Sequence, residues 1–152
     1  MKIGANSNSN IVYFKASQKD EISIVNLLKN LNGDRASFDI SKFYTVKDGD
    51  RLIGCVRIKA FKGGCLELSS LAVDPKYQHK GIGSKLVENI LTQEQSRPIF
   101  LLTSADKELF YKKFGFIIID SQKLPSEFKE EHDKILTLPF AKSLEVIAMV
   151  VK

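Results

Sequence analysis

Residues 65–91, CLELSSLAVDPKYQHKGIGSKLVENIL, decide how this chain folds. Leu66 to Val73 is short and apolar or small, and it ends at Asp74-Pro75, where proline has no N–H to donate to a strand ladder and the chain must turn. From Gly81 onward Ile82, Leu86, Val87, Ile90 and Leu91 recur at three- and four-residue steps, the period of a helix with one buried face. Gln78-His79-Lys80-Gly81-Ile82-Gly83 therefore forms a glycine-bearing loop between a strand and a helix. The first turn of a helix leaves N–H groups without partners and carries the positive end of the macrodipole. Two residues without side chains, Gly81 and Gly83, let a bulky anion approach that backbone, so the junction is expected to hold phosphate.

Strand, glycine loop and helix also occur in nucleotide-binding folds, and the spacing separates them. No Gly-Lys-Ser/Thr follows four residues after a first glycine, which excludes a P-loop, and G-x-G lacks the third glycine of a dinucleotide fingerprint. What remains is Q-x-x-G-x-G after ELSSLAVDP, with FYKKFGF at residues 110–116 downstream. In these features the chain resembles the GCN5-related N-acetyltransferase (GNAT) superfamily. The resemblance implies acetyl-CoA as cosubstrate, with the coenzyme A pyrophosphate on the loop.

At 152 residues, with 43% hydrophobic and 27% charged, the chain has the size and composition of one compact globular domain. No apolar run approaches the ~20 residues that span a bilayer, and Met1 to Asn10, with its NSNSN, reads as a frayed polar tail without the apolar segment of a secretion signal. The expectation is a tail over 1–10, a single domain over 11–152, a cytoplasmic location and no membrane partner. Cys55 and Cys65 are too few for a disulfide scaffold or a metal site, so both are expected to be small buried thiols and no metal is expected. A net charge of +5 suits either a nucleic-acid binder or a domain that attracts a polyanionic cofactor. The lysines are interleaved with acids and form no dense block, which argues against nucleic acid, while Lys76, Lys80 and Lys85 flank the proposed phosphate loop.

Along the chain, Ile11 to Lys15 reads as a strand. Ser17 caps a helix with Asp20 at its third position, and Ile22, Ile24, Val25, Leu27, Leu28 and Leu31 give that helix a buried stripe until Asn32-Gly33. Strands follow at 43–47 and 52–61, joined at Asp48-Gly49-Asp50, and Lys62-Gly63-Gly64 turns the chain into the strand already described. Beyond the long helix come a strand at 98–103, a short helix at 105–114 and a strand at 116–120. A polar connection over 121–143 carries a helical piece at 126–132, and a last strand lies at 144–151. The fold class is α/β (an α+β mixed sheet). The order resembles the GNAT fold, which implies a mostly antiparallel sheet flanked by helices, with a splayed central parallel strand pair.

Acetyl transfer to an amine needs a held donor, a neutral amine and somewhere for the leaving thiolate's charge to go. The resemblance implies that the strand edge at Leu71, Ala72 and Val73 pairs with the pantetheine arm. It also implies that Gln78, His79, Lys80, Gly81, Ile82, Gly83 and Ser84 contribute mainly backbone N–H groups. An alkylamine is mostly protonated at neutral pH, with a reference pKa of ~10. A base must take that proton, and Glu67, eleven residues before Gln78, stands where members of the superfamily carry a glutamate. Its alternatives are a partly exposed carboxylate in an edge position or a salt bridge to Lys59. Tyr111, within LFYKKFGF at 109–116, matches the tyrosine of the second family signature, which implies a phenol beside the coenzyme sulfur. Ser104 stands where relatives contact pantetheine, and it also reads as an N-cap for the following helix. Phe38 and Asp39 lie in a loop that in relatives covers the acceptor.

From Gly115-Phe116 onward, Asp120, Leu124 and Pro125 resemble the pattern of the acetyltransferase domain of N-acetylglutamate synthases, which points to a small-molecule amine or amino acid as acceptor. The chain departs from that group in lacking a kinase-like segment and in carrying Tyr111. Monomer and homodimer are equally compatible with the sequence.

Overall fold

The computed structural model describes residues 10–152; of the tail expected over 1–10, all but Asn10 lies outside the described residues. Seven strands, β1 (Ile11–Lys15), β2 (Phe43–Asp48), β3 (Arg51–Ala60), β4 (Leu66–Val73), β5 (Ile99–Ser104), β6 (Ile117–Ile119) and β7 (Val146–Val151), hydrogen-bond in the order β1-β2-β3-β4-β5-β7-β6. Four α-helices accompany them: α1 (Glu21–Asn30), α2 (Ile82–Gln93), α3 (Glu108–Lys112) and α4 (Ser126–Leu136). The described residues divide into two compact units. One takes the chain up to Arg57 together with Ser70–Gln93; the other takes Ile58–Ser69 and Glu94–Lys152.

In the first unit β1 and β2 pair antiparallel from Ile11↔Asp48 to Lys15↔Tyr44, and β2 returns to β3 through a tight turn in which Gly49 has φ +58°. Ahead of α1 the Ser17 N–H and hydroxyl both donate to the Asp20 carboxylate, at 2.8 and 3.2 Å. Asp20 closes one turn of 3-10 helix, so α1 begins at Glu21, later than the cap at Ser17 suggests. The buried face of α1 is narrower than the six apolar residues imply. Ile24 and Leu28 are fully buried against Phe43, Cys55 and Ala72, whereas Ile22 is 76% exposed. Two residues are about 200° of helical rotation, which carries Ile22 away from the Ile24 face. Helix α2 buries Ile82, Leu86, Val87 and Ile90. Gly54 permits its close approach, since a Cβ there would lie 2.9 Å from Val46 Cγ1 and 3.1 Å from Leu86 Cδ1.

In the second unit β7 runs antiparallel to both its neighbours, from Ile99↔Val151 to Ser104↔Val146 on one side and Ile117↔Val150 to Ile119↔Ala148 on the other. The parallel register of β4 with β5 comprises two pairs, Leu66↔Ile99 and Glu67↔Phe100, although the strands are eight and six residues long. That short ladder is the splayed parallel pair expected from the sequence. The core gathers Phe100, Leu124, Phe128, Ala148 and Val150, with the Phe128 ring 5.8 Å from Phe61 and 5.5 Å from Phe100. Helix α4 runs four residues beyond the piece expected at 126–132. Its apolar stripe is thin, and the buried ring of His132 sits one turn after Phe128, where period reading looks for an apolar residue. The short helix expected over 105–114 is a 3-10 turn at Ala105–Lys107 followed by α3.

Candidate active site

In the first unit the loop after β4 is held by side chains on both flanks. Asp74 accepts from the Lys76 N–H at 2.9 Å and from Arg51 at 2.6 Å, and these bonds, the backbone one foremost against a smaller burial effect, hold its carboxyl below the usual range. Its own N–H donates to the Ile53 carbonyl at 2.8 Å. The Tyr77 hydroxyl donates to Asp48 at 2.6 Å, and Gln78 Nε2 donates to the Val73 carbonyl at 2.8 Å. The Gln78 side chain is therefore part of the frame. His79 has φ +64° and Gly81 φ +84°, both in the left-handed region, and a Cβ at Gly81 would meet nothing within 4 Å. Lys85 donates back to the Gly81 carbonyl at 3.1 Å. The N–H groups of Ile82 and Gly83 thus precede the first internal bond of α2, on an exposed loop with open space at Gly81. These residues fit a diphosphate. His79 and Lys80 are exposed, Ile82 is buried in the core, and Lys80 lies 5.6 Å from the Tyr77 ring centroid.

Within β4 itself Ser70 has φ +59° in a buried strand position, and its hydroxyl donates to the Asp34 carbonyl at 2.7 Å. A left-handed residue inside a strand interrupts the period-two alternation of side chains between Glu67 and Leu71. Ala72 is buried in the first unit's core, with Leu71 and Val73 half-buried on either side. The loop expected over the acceptor is fastened by Arg57. This fully buried guanidinium donates to Asp34 Oδ2 at 3.1 Å, to the Ala36 carbonyl at 2.8 Å and to the Ser37 carbonyl at 3.2 Å. The Phe38 ring packs 5.0 Å from that of Phe43, and the Asp39 carboxylate accepts from the Ser41 hydroxyl and N–H, which hold it below its ordinary pKa. Both side chains have structural work in that loop.

In the second unit Glu67 is 4% exposed and its Oε1 lies 3.5 Å from Lys59 Nζ. Of the two alternatives the sequence offered, the ion pair is present and the partly exposed edge carboxylate is not, because Glu67 is deeply buried. Lys59 also reaches Glu131 Oε1, on α4, at 3.7 Å. Glu127, one turn earlier, accepts from the Gly63 N–H at 2.7 Å and the Cys65 N–H at 3.4 Å. Tyr111 is 9% exposed, with ring neighbours Phe110 at 4.9 Å and Phe116 at 6.0 Å. Ser104 occupies the N-cap position but its side chain makes no cap hydrogen bond; its hydroxyl bonds to Asp106 and holds that carboxyl low. Among the described residues no cluster of three or more His, Cys, Asp or Glu could hold a metal, and no helix is long and apolar enough to cross a membrane.

Sequence reasoning overlooked Arg51, Asp48 and Tyr77 as the frame of the loop, Arg57 as the fastening of residues 34–37, and Glu131. Each works through partners distant in sequence, which leave no local period.

Burial pushes the thiols of Cys55 and Cys65 up to about 12 and about 11 from 9.0, and the Tyr111 phenol up to about 12 from 10.0. Cys65 is only half-buried and precedes β4, unlike the buried strand thiol expected. Folded values above unfolded ones mean stability that is fully present below about pH 9 and is lost as pH rises toward 12. Urea unfolding under reducing conditions is expected to give a constant free energy up to pH 9 and a steady decline above it. A constant value through pH 11 would contradict the burial of these groups.

A family model described as "Acetyltransferase (GNAT) domain" matches residues 39–118, more than half of the chain. An amino-acid acetyltransferase of Shewanella oneidensis is 29% identical over 142 residues, covering 82% of this chain and 32% of that protein. An uncharacterised N-acetyltransferase of Chlorobaculum tepidum is 31% identical over 91 residues, 58% of this chain and 57% of that one. The chain thus spans about a third of the first relative's length and under two thirds of the second's. Among solved structures, N-acetylglutamate synthase from Neisseria gonorrhoeae, complexed with coenzyme A and N-acetyl-glutamate, superposes with a TM-score of 0.73 at 21% identity, over 93% of this chain and 34% of that one. A Mycobacterium tuberculosis structure containing CoA gives 0.71 at 21% identity, over 92% and 98%. At such identities the likeness is one of fold.

Proposed function

Because the chain belongs to the GNAT acetyltransferase family, we propose that it moves an acetyl group from acetyl-CoA to the primary amine of a small molecule or amino acid, by direct attack in a ternary complex. The observation that carries this reading is the loop over residues 78–84, a helix start with positive-φ Gly81 and a frame made by its own flanking side chains. The amino-acid acceptor is supported by relatives named for that activity, and the cytoplasm is the proposed compartment.

The thioester supplies an acyl group already activated toward amines. In this reading the N–H groups at the start of α2 hold the diphosphate, and the backbone of Leu71 to Val73 aligns the pantetheine arm. Glu67 accepts the ammonium proton, directly or through a water, and so creates the lone pair that attacks. Tyr111 faces the leaving sulfur. A thiol has a pKa near 8.5, and a phenol raised to about 12 is the weaker acid by roughly 3.5 units, roughly 5 kcal/mol. Tyr111 therefore donates a hydrogen bond to the thiolate and keeps its proton. Such a bond to a charged group contributes roughly 1.5–3 kcal/mol, so Tyr111→Phe is expected to slow turnover about tenfold to a hundredfold with little change in acetyl-CoA affinity. Stopped assays of CoA release paired with calorimetric binding check this; an unchanged kcat would remove the phenol from the mechanism.

The reading as a whole is tested by titrating acetyl-CoA and duplex DNA separately at two salt concentrations, then following CoA-thiol release with amino acids, polyamines, aminoglycosides and peptides. Cofactor binding with release on amino acids is expected. Binding without release on any acceptor would make the chain a CoA-binding module, release on peptides alone would make it a protein acetyltransferase, and DNA binding without cofactor binding would overturn the proposal.

A further inference from the structure

Lys59 stands between two carboxylates. Its side chain is 8% exposed, and its ammonium lies 3.5 Å from Glu67 on β4 and 3.7 Å from Glu131 on α4. The lysine is itself confined: β3 carries it, and the Phe61 ring centroid lies 5.6 Å from Nζ. Helix α4 is held against the same hairpin by Glu127, one turn before Glu131, which accepts from the N–H groups of Gly63 and Cys65. A side chain at Gly63 would meet Glu127 at 2.7 Å, so that seat is close-fitting. The distance from Glu131 to the lysine is therefore set by the fold.

We infer that Lys59 and Glu131 are positioning residues that set the basicity of Glu67 in opposite directions, the lysine favouring its ionised form and Glu131 drawing part of that influence away. The inference rests on Glu67 as the base of the proposed reaction. Lys59 from β3 lies beside Glu67, Glu131 from α4 lies beside the same lysine, and Glu127, one turn before Glu131, faces the backbone of Gly63 and Cys65. The thiol of Cys65, raised by burial and by the charges of Glu127 and Glu67, stays neutral over the working range. His132, next on the helix, has its ring nitrogen 3.1 Å from Asp133. From β5 the residue opposite Glu67 is Phe100, which carries no charge. One cation is thus shared among carboxylates. Were the lysine paired with Glu67 alone, the carboxylate would be held ionised and weakly basic; without the lysine it would be a buried charge deprived of that cation. Sharing places it between these limits, where a base can take a proton and give it up again.

The test is the pH dependence of kcat/KM for wild type, Lys59→Met, Glu131→Gln and Glu67→Gln, with the side-chain carboxyl of Glu67 titrated in parallel by 13C NMR in the unliganded protein. Loss of the cation is expected to move the acid limb up by about one to two pH units. Loss of the competing carboxylate, on a residue only partly buried, is expected to move it down by about half a unit. A merely structural role would lower activity without moving the limb in opposite directions. The NMR titration does not need turnover, so it still reads the shift if Lys59→Met is inactive, and Glu131→Gln reads it if Lys59→Met does not fold. Full activity in Glu67→Gln would remove the base assignment, and the NMR titration alone would then decide whether the pair controls the Glu67 proton. Loss of activity in Glu67→Gln, with the limb and the NMR midpoint unmoved or moved the same way in both other variants, would overturn the inference while leaving the base in place.

Discussion

Glu67→Gln is expected to lower kcat/KM for the amine about a hundredfold to ten-thousandfold at pH 7, the range of general-base catalysis. Glutamine has the same shape and leaves Lys59 with Glu131 as its ionic partner, so the change removes proton acceptance more than packing. The defect should shrink as pH rises. With an amine pKa of ~10, the fraction of free amine grows about tenfold per unit between pH 7 and 9, and a substrate already deprotonated has no use for a base. Steady-state rates of CoA release at pH 7, 8 and 9 check this. A deficit of constant size would mean that Glu67 serves structure or acceptor binding.

Gly83→Asp is expected to weaken acetyl-CoA about a hundredfold while leaving the fold intact or slightly more stable. The two effects have opposite signs for one reason. An aspartate in the first turn of α2 meets the positive end of the helix dipole, a gain of about 0.3–1 kcal/mol when the site is empty. The same charge facing a diphosphate costs several kcal/mol through like-charge juxtaposition. Gly83→Asn, of equal size and neutral, should lose less affinity. Calorimetric titration together with thermal unfolding separates the terms. Equal affinity in wild type and the aspartate variant would place the diphosphate elsewhere.

What could be read from the residues was what has a local period or a local exception. The β4, turn and α2 stretch was legible because Asp74-Pro75 ends a strand and the spacing from Ile82 to Ile90 is helical; both boundaries stand within a residue. Ile22 departs from the pattern. It is apolar and lies within the helix, but sits on the wrong face, and composition alone placed it in the stripe. The extent of α4 was hidden because a buried histidine holds a core position. The left-handed backbone of Ser70 had no signal, since serine carries no sign of positive φ as glycine does. Around the candidate site the ion pair of Glu67 with Lys59 was legible as an alternative, because both residues lie on neighbouring strand stretches of the sequence. Glu131 and Arg57 were not, because their partners come from elements joined only by the tertiary fold.

The position of β7 between β5 and β6 has a consequence during synthesis. Until Val146–Val151 has been made and has left the ribosome, β5 and β6 lack the strand that lies between them. Both present unsatisfied edges to the crowded cell, and β6, with its run of three isoleucines, is the stickier. A chain that has exposed β6 before β7 is in place is a natural client for chaperones, and changes that delay or weaken β7 are expected to yield aggregate in place of folded protein.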